Sequence, residues 1–154
     1  MGACSSLITW ELQEPGGSPT HIRPRRRQME QDLRRIKFGE RRRVVVEEPS
    51  VRLVISSGVL RRERLRAVSP RHREPTIYAK NGKSFTLEDL VRQVLAHVEA
   101  LYDIYGNDGR IFVTPYDAQL LWGIEYDAAG RTVRPRIDKR PNAAQIETNN
   151  KLIA

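Results

Sequence analysis

The chain of 154 residues has a single cysteine, Cys4, so no internal disulfide framework and no cysteine-based zinc site is available to it. No apolar run approaches the ~18–20 residues needed to cross a bilayer as a helix. The first residues, MGACSSLITWELQEPGG, lack the positive charge that precedes the apolar stretch of a secretory signal peptide, and Glu11 and Glu14 follow closely. These absences point to an intracellular protein held together by packing. Lysine is also scarce: of 27 basic residues only Lys37, Lys80, Lys83, Lys139 and Lys151 are not arginine. Within the basic segment 23–43 the only aromatic residue is Phe38, whereas single-strand binding usually pairs arginine with aromatic stacking platforms.

What is present is arginine, unevenly placed. Residues 23–43 carry ten basic and three acidic groups, and residues 61–74 carry six arginines and two glutamates. Residues 80–130 reverse the sign, with four basic and eight acidic groups, and the segment from Arg131 is basic again. The net charge is +8. The guanidinium is a planar, bidentate donor matched to phosphate and carboxylate, so the bias suits an anionic partner. Arginine codons also accumulate in a GC-rich or overlapping reading frame, with no chemistry implied.

Periodicity predicts an α+β domain: an antiparallel sheet packed against one long amphipathic helix, with a short Arg-rich helix near the N-terminus. Residues 7–12 alternate as a strand, with Ile8, Trp10 and Leu12 on one face. Met29, Leu33 and Ile36 recur at helical spacing within Arg25 to Phe38, a helix that Gly39 should stop. Val44 to Val46 and Val51 to Ile55 read as a strand pair broken at Glu48-Pro49, with Val51, Leu53 and Ile55 inward. Residues 61–75 are too poor in apolar side chains for an element and read as a basic, mobile loop.

The clearest stretch begins at Thr76 to Lys80, a strand followed by Asn81-Gly82, the dipeptide of a type I′ hairpin turn. Thr86 stands at an N-cap position with Asp89 three residues on, as in a capping box. The helix 87–105 then places Leu87, Leu90, Val91, Val94, Leu95, Val98, Leu101, Tyr102 and Tyr105 on one broad face, and 106–109 ends it. Arg110 to Thr114 is a strand closed by Pro115. A hairpin follows, with Leu120, Trp122, Ile124 and Tyr126 on one face, a turn at 127–130 and a return over 131–137. Trp122 should be buried with Leu90, Val94 and Leu101. Three regions result: a flexible segment 1–24, a domain over 25–137, and a polar tail over 138–154.

No catalytic, cofactor or metal constellation stands out. Gly82-Lys83-Ser84 ends like a phosphate-binding loop, but the required earlier glycine position is Ile77. His97 falls at the boundary of the helical stripe with no nucleophile or ligand at motif spacing, and Ser69 sits in a short kinase-target pattern. The most specific motif is Met1-Gly2-Ala3-Cys4-Ser5-Ser6, an N-myristoylation acceptor with Cys4 placed for a palmitoyl chain. Two lipid signals plus the basic run Arg23, Arg25, Arg26 and Arg27 would suffice for stable anchoring, where one chain would not.

The leading expectation is therefore a non-enzymatic interaction or regulatory protein with a protein partner, held at the cytoplasmic face of a membrane by Gly2 and Cys4. Its anion-facing residues would be Arg23, Arg25, Arg26, Arg27, Arg34, Arg35, Arg41, Arg42 and Arg43. The alternative is a nucleic-acid-binding accessory protein of cytoplasm or nucleus, using segments 23–43 and 61–73.

Overall fold

A computed structural model describes residues 5–10, 33–55, 59–106, 111–113 and 119–139. In chain order the elements are β1 (Ser5–Ile8), α1 (Phe38–Arg41), β2 (Val44–Val46), β3 (Ser50–Leu53), a 3-10 helix (Arg62–Ala67), α2 (Pro70–Arg73), β4 (Thr76–Tyr78), β5 (Phe85–Thr86), α3 (Leu87–Tyr105), β6 (Gln119–Asp127) and β7 (Thr132–Lys139). Five strands form one sheet in the order β1-β6-β7-β3-β4, and β2 pairs with β5 in a second, two-stranded sheet. All pairings are antiparallel except β3 with β7, which run parallel with Arg52 beside Thr132 and Leu53 beside Val133. The fold is α+β, and the long helix packs on the sheet.

Helix α3 forms where the apolar spacing requires it. The Asp89 N–H donates to Thr86 Oγ1 at 3.1 Å, closing the first turn. Leu87, Leu90, Val91, Val94, Leu95, Val98, Leu101 and Tyr102 are buried, each worth on the order of 2 kcal/mol of apolar burial. Gly106, at φ 86, ends the helix by returning its N–H to the Tyr102 carbonyl. From the sheet side come Ile8, Val51, Leu53, Ile55, Ile77, Ile124 and Val133, all in the same core cluster. Tyr102 stacks on Phe112 with ring centroids 3.7 Å apart.

Several local expectations are corrected. The chain from Val44 to Ile55 holds two strands, but they belong to different sheets rather than to one pair. Gly39 does not stop a helix: residues 33–34 end one, Lys37 is extended (φ −54, ψ 133), and Gly39 lies inside α1. Residues 25–32 of the expected Arg-rich helix lie outside the described residues. Asn81-Gly82 is not a type I′ hairpin, because only Gly82 has positive φ, at 74. The Asn81 carboxamide instead accepts from the Lys83 and Ser84 N–H groups at 2.8 and 2.9 Å. That turns the chain away from β4, so β5 joins β2.

The stretch 61–75 is not a loop. Leu65 and Val68 turn inward, and the Arg73 guanidinium donates to the Leu65 carbonyl at 2.7 Å, tying α2 to the 3-10 helix. Ile111 to Val113 pairs with the chain only at the bridge of Phe112 with Leu60, while residues 110, 114 and 115 lie outside the described residues. Trp122 is 40% exposed instead of buried. In the β6–β7 ladder Leu121 stands beside Ile137 and Gly123 beside Arg136, so Trp122 is the extra residue of a bulge and its alternation is lost.

Candidate anion-binding surface

Of the residues expected to meet an anion, Arg23, Arg25, Arg26 and Arg27 lie outside the described residues, as do Gly2 and Cys4. Ser5, one residue after Cys4, is already the first residue of the edge strand β1. Arg41 donates from Nε to the Ile36 carbonyl at 3.1 Å, and Arg43 donates to the Thr9 carbonyl at 2.8 Å while pairing with Glu40 at 3.1 Å. Both guanidiniums are engaged in holding the segment against its surroundings. Arg42 lies over the Phe38 ring, 5.3 Å from its centroid, and both are exposed. Arg34 is exposed and Arg35 half-buried.

The second block is ordered and outward. Arg62, Arg64, Arg66 and Arg71 are exposed, and among the described residues none of their guanidiniums has a hydrogen-bond or ion-pair partner. Helix α3 holds this block in place. The Tyr105 hydroxyl accepts the Ser69 N–H at 2.9 Å and lies 2.8 Å from His72 Nδ1, with the two rings edge to face. His97 Nε2 donates to the His72 carbonyl, and burial holds its pKa below the ordinary histidine value. These contacts pin α2 to α3. His97 is half-buried, with a positioning role that its helical angle alone did not reveal. Ser69 is half-buried with its N–H committed to Tyr105.

A third set of cations stands singly within the strands. Arg52 lies between the core residues Val51 and Leu53, while Arg134 and Arg136 alternate with buried Val133 and Pro135. Alternation therefore sends all three to the sheet face opposite α3, where they are exposed. Tyr78 shares that face on β4 and is 68% exposed. The period-two signal was legible in the sequence, but single arginines within strands do not register as a run.

Among the described residues no group of three or more His, Cys, Asp or Glu side chains is arranged to hold a metal ion. No helix among them is long and apolar enough to cross a membrane. No family model, curated protein or solved structure matches the chain.

Proposed function

We propose that the protein is a non-enzymatic interaction protein whose Arg-rich segments bind an anionic partner. One observation carries this reading: Arg62, Arg64, Arg66 and Arg71 are held on short helices pinned to α3, exposed and without partners among the described residues. Like charges gathered in this way repel one another, and an anion offsets that cost. A segment ordered before binding also loses less conformational entropy on binding than a mobile one.

The test replaces all four arginines by alanine. Binding to anionic vesicles and to oligonucleotides, measured across a salt series, should weaken and its salt dependence flatten. A variant that binds both as the unmodified protein does would return these arginines to the role of solvated surface.

The acylation motif extends the same reading to a membrane. What supports it is the motif at Gly2 and Cys4 together with the start of β1 at Ser5, which joins any lipid anchor to the sheet with almost no linker. In this form the protein works at the cytoplasmic face of a membrane, and the basic segments meet anionic headgroups.

A further inference from the structure

The sheet face opposite α3 carries an ordered line of side chains. Register places Tyr78 beside Ser50 on β3, two residues before Arg52. Arg52 stands beside Thr132 on β7, two residues before Arg134, and Arg136 follows at the next outward position. Arg136 faces Gly123, and Trp122 is the bulged residue next to it. The line Tyr78, Arg52, Arg134, Arg136 therefore crosses the sheet on a diagonal. It covers two strand spacings and about six residue rises, roughly 22 Å at ~4.8 Å per strand and ~3.3 Å per residue.

Arg136 pairs with Glu125, which fixes it in place. Arg52 and Arg134 have no hydrogen-bond or ion-pair partner for their guanidiniums among the described residues. The line thus has the exposed Tyr78 ring at one end and cations along it, two of them unpaired among the described residues.

The geometry points to this diagonal as a track for single-stranded nucleic acid, with phosphates on Arg52 and Arg134 and a base stacked on Tyr78. This rests on the anion-binding reading above and names its partner. An extended strand sets phosphates and bases along one line, as the diagonal sets guanidiniums beside a ring. Stacking on an exposed ring with arginines along the backbone is the physical basis of sequence-tolerant single-strand binding. A headgroup layer presents charge without a ring face to stack on, and a duplex hides its bases from Tyr78.

The experiment measures binding of the full chain to a labelled oligo(dT) strand of about 12 nucleotides by fluorescence anisotropy over a salt series. Arg52→Ala with Arg134→Ala should flatten the slope of log K against log salt by about 1.4, at ~0.7 per lost phosphate contact. Tyr78→Ala should weaken binding about 5- to 100-fold with the slope unchanged, and Tyr78→Phe should restore it. All three positions are exposed, so unchanged circular dichroism is expected of every variant. If the strand binds these variants as it binds the unmodified protein, while the variant lacking Arg62, Arg64, Arg66 and Arg71 loses it, the diagonal is not the track and the anion-binding reading stands. Binding of anionic vesicles or poly(Glu) without binding of the strand overturns the partner class alone. Binding of none of the three overturns both.

Discussion

His97 sits where burial opposes its charge, and its Nε2–H is committed to the His72 carbonyl. Its folded pKa lies below the ordinary histidine value of about 6.5, so the folded protein binds fewer protons than the unfolded chain just below that pH. The contribution is complete above about 6.5 and is lost as pH falls through the folded pKa. His97→Gln keeps a donor for the same carbonyl but does not titrate. Thermal midpoints across pH 5–8 should therefore fall less steeply on the acid side in the variant. An identical pH profile in the two proteins would show that the loss comes from other groups. At the same scale, the Thr86 cap was legible in the sequence because an N-cap is a local event, one hydroxyl and one N–H three residues on. The role of Asp89 was not. Its carboxylate accepts from the Lys80 N–H at 2.9 Å and from Gln93 at 2.9 Å, tying the turn before β5 to the helix instead of closing a capping box. That choice depends on where the turn folds back, and a residue pattern does not encode it.

The long helix and the bulge mark the two ends of what could be read at the level of elements. Helix α3 runs over Leu87–Tyr105 as its spacing required, since many apolar side chains on one stripe leave the chain one way to bury them. Val94→Asp, at the centre of that stripe and fully buried, should cost several kcal/mol and lower the denaturation midpoint sharply, because it buries a charge without a partner. Trp122→Asp should cost far less, since the bulge already leaves that side chain partly in water. Equal losses from the two substitutions would contradict the packing described for β6. The sequence supports alternation through Leu120 to Tyr126, but a single unpaired residue reverses which side chains face inward, and composition does not announce it. The helical segments over 62–73 were missed for a related reason. Their stability comes from Leu65 and Val68 docking on the core, from Arg73 reaching back to Leu65, and from Tyr105 and His97 gripping from α3. These are tertiary supports, and the local propensity is weak.

At the scale of the molecule the charges separate into layers. The solvent side of α3 carries Glu88, Glu99 and Asp103, the far side of the sheet carries Arg52, Arg134 and Arg136, and Arg62, Arg64, Arg66 and Arg71 stand on the segment gripped by α3. For the anionic partner proposed above, such a distribution would favour approach to the sheet over the helix face, although Arg92 pairs with Glu88 on the helix and Glu125 with Arg136 on the sheet. The same layering limits how a lipid anchor could work. Gly2 precedes β1 by three positions, so with at most ~3.6 Å per residue the tether holds Ser5 within about 11 Å of an acylated terminus. Ser5 stands beside Asp127 at the β6–β7 turn, so acylation at Gly2 would bring that end of the sheet next to the bilayer. An anchor this short fixes the orientation of the domain, and basic groups elsewhere on the chain can touch headgroups only as that orientation permits. In its own host the protein should therefore fractionate with membranes, Gly2→Ala should release it, and Cys4→Ser should weaken attachment by removing the second chain. Inserting a flexible Gly/Ser stretch between Cys4 and Ser5 should leave the lipid attachment intact while freeing the orientation. Any headgroup contact that depends on the β6–β7 end facing the bilayer would then lose its preference for anionic over neutral vesicles. Recovery of the unmodified protein entirely in the soluble fraction of its host would remove the anchor and leave the arginine surfaces to a soluble partner.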